Sequence, residues 1–259
     1  MPEFCKVERD GRLWIVTINR PDVMNSLHPP ANVELAKVWD EFEADAEAWV
    51  GIITGAGDRA FSAGNDLKYQ ASGGEMRHQP ESGFAGITSR FGMTKPLIAA
   101  VNGVAMGGGF EIALACDLII ASDKAIFALP EPRVGLAALA GGLQRLPRMI
   151  PLKQAMGMIL TGRRVSAQEG KEMGFVTDVA PHDELLKRAR MWAEQILECS
   201  PLSIRASKQT VLQSLNVSDL KDSTQNSRYP AIADMVRSQD FVEGPKAFAE
   251  KRKPQWKGR

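Results

Sequence analysis

Two apolar runs, residues 96–101 (PLIAAV) and 118–121 (LIIA), flank a segment that opens on Gly107-Gly108-Gly109 and runs on through 110–116. Runs this short, apolar throughout and rich in β-branched residues, read as strands buried on both faces. A helix between two such strands is the crossover that a parallel pair requires, because no tight turn can return the chain to the same end of a sheet. The pattern repeats upstream. Residues 13–19 (LWIVTIN) end at Arg20-Pro21, and residues 49–54 (WVGIIT) close at Gly55-Ala56-Gly57-Asp58, so both read as strands. After Pro29-Pro30, Leu35, Val38, Trp39, Phe42 and Ala46 recur at three- and four-residue spacing, with Glu34, Lys37, Asp40 and Glu41 on other faces, which predicts a helix. The first half is therefore α/β with a buried, largely parallel sheet.

The second half is helical. Ser166-Ala167-Gln168-Glu169 has the form of a capping box, in which serine and glutamate each satisfy a free N–H at a helix start. Leu185, Ala189, Trp192 and Ile196 mark one face of a helix after His182. Residues 201–215 and 220–236 also read as helical, with Pro230 interrupting the second, and 241–251 is a short amphipathic segment before a basic tail. The polar stretch 70–83 (QASGGEMRHQPESG) reads as a loop.

Composition narrows the function classes. The 259 residues suit one large domain, or one with an appendage, and 32 basic against 31 acidic side chains leave a net charge of +1. A near-neutral balance gives no whole-protein attraction to nucleic acid or to a membrane. Cys5, Cys116 and Cys199 are odd in number and far apart, which argues against a disulfide framework and fits a reducing, cytoplasmic setting. Residues 1–12 carry six charged side chains and no apolar signal core. The most apolar stretch, 96–110, is broken by Asn102 and four glycines and is too short to span a bilayer.

Three segments are poorly explained by packing alone. The first, 60–68 (AFSAGNDLK), follows a buried strand and ends in a charged pair. Backbone N–H groups in such a turn can point at an acceptor, although a tight strand-to-helix turn would by itself need Gly64. The second, 102–111 (NGVAMGGGFE), spends three glycines at a helix start, where each costs backbone entropy. They let a ligand approach free N–H groups at the positive end of the helix dipole, or let the helix pack closely on the sheet. No Gly-Lys-Ser/Thr follows and the spacing is not G-x-G-x-x-G, which excludes a phosphate loop and a dinucleotide site. The third, 127–135 (FALPEPRVG), sets Glu131 between two prolines, while Glu111 lies among Phe110, Ile112, Ala113 and Leu114.

Charged residues are rarely buried without a partner or a task. Each carboxylate alone reads either as a structural partner of Arg133 or Arg145 or as a catalytic group. Together, beside a glycine-rich N–H array, they point to acid/base chemistry with anion stabilisation. His28, His78 and His182 show no metal-ligand spacing, and there is no G-x-S-x-G elbow, so neither a metal site nor a Ser/His/Asp triad is expected.

In this order and spacing the three segments resemble the enoyl-CoA hydratase/isomerase (crotonase) family. The resemblance runs from Asn19-Arg20-Pro21 through 61–68, 96–117, 127–135 and 160–167 (LTGRRVSA) to 243–252 (EGPKAFAEKR), and the wording is most similar to carnitinyl-CoA dehydratase-like members. It implies a spiral of ββα turns over 1–195, followed by a helical region, 196–259, that closes the pocket and assembles a homotrimer or a homohexamer built as a dimer of trimers. It also implies a CoA thioester substrate, with no cofactor beyond the coenzyme A carried by that substrate.

By motif position, the N–H groups of Asn65 and Gly108 would form an oxyanion hole, and Glu111 and Glu131 would be the paired catalytic glutamates. The resemblance puts the adenine and phosphate end of CoA along Ser26, Ala63, Asp66, Leu67 and Lys68, with Arg59 and a neighbour's Lys251 reaching phosphates. The implied reaction is reversible hydration of an α,β-unsaturated acyl-CoA, in which Glu131 gives a proton to Cα and Glu111 deprotonates water. Double-bond isomerisation, thioester hydrolysis, carnitinyl-CoA dehydration and a non-catalytic CoA-binding scaffold are the alternatives. One departure stands out. Where the family commonly reads Gly-x-x-Pro-Gly-x-Gly-Gly-Thr, residues 135–143 read GLAALAGGL, so Ala138 and Leu139 replace Pro-Gly and Leu139 is expected to shape the acyl pocket.

Overall fold

A hairpin starts the chain: β1 (Cys5–Asp10) pairs antiparallel with β2 (Leu13–Ile18) across a turn in which Gly11 takes a φ of +57°. The structure is a computed structural model that describes residues 2–75 and 79–259. Met76, Arg77 and His78, part of the expected 70–83 loop, lie outside the described residues, and with them the reading of His78.

After the hairpin, α1 (Pro29–Ala44) is capped by His28, whose Nδ1 accepts from the Ala31 N–H. The chain then winds through repeated turns. β3 (Val50–Gly55) leads to β4 (Ala60–Ser62) and the short α2 (Leu67–Ala71). β5 (Leu97–Val101) leads to β6 (Val104–Met106) and α3 (Gly108–Ala115). β7 (Leu118–Ser122) leads to β8 (Ile126–Ala128), α4 (Gly142–Met149) and α5 (Leu152–Thr161). β9 (Val165–Ser166), α6 (Ala167–Met173), β10 (Asp178–Ala180) and α7 (Leu185–Leu197) finish the winding.

Each of the three central turns gives one strand to each of two sheets. The larger has the order β1-β2-β3-β5-β7-β10, parallel from β2 onward, and the smaller has the order β4-β6-β8-β9, in which only β8 and β9 run antiparallel. This is the expected spiral of ββα turns. The corner between the sheets is held by buried Asn102, whose Oδ1 accepts from the Gly55 N–H while its Nδ2 donates to the Gly57 and Ala60 carbonyls.

The apolar strands are covered on both faces. Trp14, Val16, Ile53, Ala99 and Val101 turn toward α1 and α3, where they meet Leu35, Trp39, Phe42 and Phe110. Their alternates Leu13, Ile15, Val50, Ile52, Ile98 and Ala100 pack against Leu185, Ala189 and Ala193 of α7. The period of two thus explains why no polar face is visible in these strands.

The C-terminal region carries α8 (Pro201–Ser214), α9 (Leu220–Ser223), α10 (Pro230–Arg237) and α11 (Gln239–Ala249). Pro230 does not kink a continuous helix but starts a new one as its first residue, where its missing N–H costs nothing. The capping box forms in half: Ser166 Oγ accepts from the Glu169 N–H, but the Glu169 carboxylate pairs with Arg163 at 2.6 Å instead of turning back to the cap. Among the described residues no helix is long and apolar enough to cross a membrane.

Candidate active site

Two loops from different turns of the spiral meet at the start of α3. The first is shaped by a strained turn, in which Met24 and Asn25 both adopt positive φ, 56° and 53°. Fully buried Asn25 holds that turn by accepting from the Arg20 N–H and donating to the Ala56 and Ala60 carbonyls. The chain emerging from it pairs with the 64–66 segment: the Leu27 N–H donates to the Gly64 carbonyl and the Asp66 N–H to the Leu27 carbonyl. This pairing brings Ser26, Ala63, Asn65 and Asp66 together and leaves the Asn65 N–H without an acceptor among the described residues.

Gly64 (φ +86°) then lies directly on the α3 terminus, where a Cβ would come within 2.8 Å of the Gly108 nitrogen. The Gly108 N–H, at the first position of α3, likewise has no acceptor among the described residues. Two free N–H donors on adjacent backbones, one at the positive end of a helix, make a site for a developing oxyanion. The glycines serve this close approach. A Cβ on Gly109 would collide with the Ser62 carbonyl, and one on Gly108 would come within 2.6 Å of the Phe84 ring.

Both glutamates stand at this place. Glu111, one turn into α3, is 3 % exposed. Its Oε1 accepts from the Gly142 N–H at 2.8 Å. Burial pushes its carboxyl up to about 7, helped by the neighbouring Glu131 and opposed by the Gly142 and Ala140 amides and by Arg145. Glu131 opens a 3-10 turn, residues Glu131–Val134, after β8, and burial raises its carboxyl too. Its Oε1 lies where a Cβ on Gly107 would be 2.7 Å away, and its buried Oε2 has no hydrogen-bond partner among the described residues. Among the described residues neither glutamate is the ion-pair partner of an arginine: Arg133 donates to the Thr161 carbonyl, and Arg145 to those of Thr88 and Ala140. A pair of carboxyls raised by burial, beside two free donors, can share one proton and divide the work of acid and base.

The other expected residues spread outward from this centre. Ser26 is buried, and its carbonyl accepts from Arg20. Ala63 donates to the Met24 carbonyl, and Leu67 and Lys68 are exposed on α2. Asp66 caps α2 by accepting from the Tyr69 N–H and is bound by Arg20 at 2.9 Å. Burial works against ionising it, but the Tyr69 amide and Arg20 outweigh that and hold its carboxyl below the usual range. Arg59 is exposed just before β4, and Lys251 is exposed beyond α11 with a φ of +53°. Ala138 is buried against Gly142, the Glu111 anchor, whereas Leu139 is 79 % exposed.

Sequence reasoning missed three participants: Gly142 as a donor, Phe84 as the wall over Gly108, and Arg20 as the partner of Asp66. Gly141-Gly142 was a visible signal for the first; nothing local marks the other two. Among the described residues no cluster of His, Cys, Asp or Glu is arranged to hold a metal.

Known proteins resemble this chain from end to end. The family model for enoyl-CoA hydratase/isomerase matches residues 8–259. A protein named carnitinyl-CoA dehydratase from Escherichia coli (strain K12) is 40% identical over 270 residues, covering 100% of both chains. A crystal structure of enoyl-CoA hydratase from Mycobacterium tuberculosis H37Rv superposes with a TM-score of 0.92 at 38% identity, over 99% of each chain. One of carnitinyl-CoA hydratase from Mycobacterium avium gives 0.78 at 38% identity over 100% of each.

Proposed function

The chain belongs to the enoyl-CoA hydratase/isomerase family, and from that membership we propose that it adds water reversibly across the double bond of an α,β-unsaturated acyl-CoA, or removes it from the 3-hydroxyacyl-CoA. The observation that carries the proposal is the meeting of two free N–H donors, Asn65 and Gly108, with two buried carboxyls, Glu111 and Glu131.

The thioester oxygen accepts from the Asn65 and Gly108 N–H groups. Addition of water at Cβ pushes electrons onto that oxygen, and the two fixed donors stabilise the enolate at no cost in reorganisation. One such donor is worth on the order of 10²–10³ in rate. Glu111, held by the Gly142 amide and facing Arg145, is the better placed of the two to be ionised and takes the proton from water. Glu131, raised by burial and with an Oε2 that has no hydrogen-bond partner among the described residues, holds the proton and delivers it to Cα. Isomerisation needs chiefly one such group, so retention of both favours hydration.

Coenzyme A is part of the substrate, and no further cofactor enters these steps. Ser26, Ala63, Asp66, Leu67 and Lys68 form the run beside which the nucleotide end lies. Arg59 and a neighbouring subunit's Lys251 reach its phosphates, in a homotrimer or a dimer of trimers assembled through the helices of 196–259. Leu139, exposed on the single chain, forms the outer rim at the acyl end. The names of the relatives favour a carnitine-type acyl group as one substrate to try.

The test follows the conjugated-thioester absorbance of crotonyl-CoA, then of longer, aromatic and carnitine-derived enoyl-CoAs, with wild type, Glu111→Gln and Glu131→Gln. Rapid loss of absorbance that collapses by orders of magnitude in both variants is expected. Confirmed CoA binding with no turnover of any enoyl-CoA would overturn the hydratase reading.

A further inference from the structure

Arg145 lies in the first turn of α4, where its N–H donates to the Gly141 carbonyl, and its side chain turns back over the residues before the helix. Nη1 donates to the Ala140 carbonyl at 3.4 Å and Nη2 to the Thr88 carbonyl at 2.8 Å. The guanidinium fits because Gly141, at φ +105°, has no side chain: a Cβ there would collide with Nη1. Both carbonyls belong to walls of the site. Ala140 opens the turn whose Gly142 N–H holds Glu111. Thr88 closes the turn that carries Phe84, since its Oγ1 accepts from the Phe84 N–H at 2.8 Å, and the Phe84 ring covers Gly108.

The charge of Arg145 is half-buried, and its hydrogen bonds go to carbonyls, not to a carboxylate. A guanidinium in that position interacts with whatever anion lies nearby, at a strength that low polarity increases. Glu111 is faced by Arg145 from α4, by Glu131 from the turn after β8, and by the Gly142 and Ala140 amides. Arg145 is faced in turn by Glu111 and by the Cys116 thiol at the end of α3.

We propose that Arg145 is a positioning residue for the Glu111 carboxylate: its planar fork ties the turn that anchors Glu111 to the turn that carries Phe84. Its positive charge at that tie acts in the same sense as the Gly142 amide on the carboxylate. This rests on Glu111 acting as the base of the hydration. Lysine, a point charge without the fork, would supply the charge and lose the tie. The two halves of the role are therefore separable.

The test isolates the Glu111 carboxyl stretch by infrared difference against Glu111→Gln and titrates it in wild type, Arg145→Met and Arg145→Lys, alongside pH profiles of kcat/KM for crotonyl-CoA. Removing the charge raises the Glu111 midpoint, so the acid limb of the profile moves up with it and the loss of activity at pH 6 exceeds the loss at pH 9. Arg145→Lys restores the midpoint while kcat stays low. If Arg145→Met does not fold, Arg145→Gln, which keeps an uncharged donor for Thr88, serves in its place. An unmoved Glu111 midpoint in the uncharged variant, or an equal loss of activity at every pH, would overturn the proposal. A wild type that hydrates no enoyl-CoA but shows the midpoint shift would overturn the hydratase reading and leave the coupling of Arg145 to Glu111 standing.

Discussion

Glu131 rests on Gly107: its Oε1 occupies the space a side chain at that position would need, within 2.7 Å of where a Cβ would stand. The backbone there, at φ 53° and ψ −124°, is also one that L side chains avoid. Gly107 thus places the carboxyl and starts α3 in the same residue. Gly107→Ala is expected to lower stability by about 1–3 kcal/mol through backbone strain. It also displaces the carboxyl, and a shift of about 1 Å at a reacting group costs on the order of 100-fold in rate. Urea unfolding and kcat/KM for crotonyl-CoA, measured on the same preparation, check both; a variant with normal activity would separate Glu131 from the chemistry.

Glu111 trades stability for reactivity. Its folded carboxyl titrates near 7, above the ordinary range near 4.5, so between those values the folded state binds the proton more tightly than the unfolded state. Its ionised form is therefore a burden that grows as pH rises from 4.5 to 7 and is then constant. Glu111→Gln, which keeps an oxygen for the Gly142 amide, is expected to be more stable than wild type at pH 8.5 by up to roughly 3 kcal/mol, with the gap closing by pH 4.5. Denaturant titrations at the two pH values measure it, and a variant less stable than wild type at pH 8.5 would contradict it.

The Arg20–Asp66 pair, 2.9 Å long with side chains 16% and 8% exposed, fixes α2 immediately after the Asn65 donor. Arg20→Met leaves a buried carboxylate without its cation, which costs on the order of 3 kcal/mol. The double variant with Asp66→Asn removes the stranded charge as well and is expected to recover most of that loss. A thermodynamic cycle over the four proteins gives the coupling, and additive effects would show that the pair does not act together.

A second network ties β10 to α7. Asp178 accepts from Arg188, Lys171, Trp192 and the adjacent Val179 N–H. Burial opposes its ionisation, but these donors prevail and bring its carboxyl down to about 2 from 3.8. The stabilisation is present above pH 4 and is lost as pH falls from 4 to 2. Asp178→Asn is expected to cost roughly 2 kcal/mol at pH 7 and almost nothing at pH 2, readable from chemical unfolding at each pH.

Much of this was legible in the chain itself. The strands of 13–19, 49–54, 96–101 and 118–121 stand within a residue or two of their expected places because each is a short apolar run, and the helix after Pro29-Pro30 does so because its apolar residues recur at helical spacing. The strands of the smaller sheet were not legible. β4, β6 and β8 are three residues each, too short to show alternation, and exist only because the spiral sets them side by side. The Glu169 side chain went to Arg163 and not to its own cap because a charged partner was in reach.

The amino-acid sequence by itself determined which groups are available: free N–H donors at a glycine-opened helix, and carboxyls in apolar company. Those are local properties, set by residue type and by a few neighbours. Their convergence was decided only by tertiary structure. Gly64 meets Gly108, Glu131 meets Gly107, and Glu111 meets a Gly142 amide that lies 31 residues further on. Such distances are set by the register of parallel strands and by how closely one turn of the spiral stacks on the next. The lowered polarity that lifts both carboxyls is likewise a property of the assembled site, since it arises only when separate turns of the chain exclude water together.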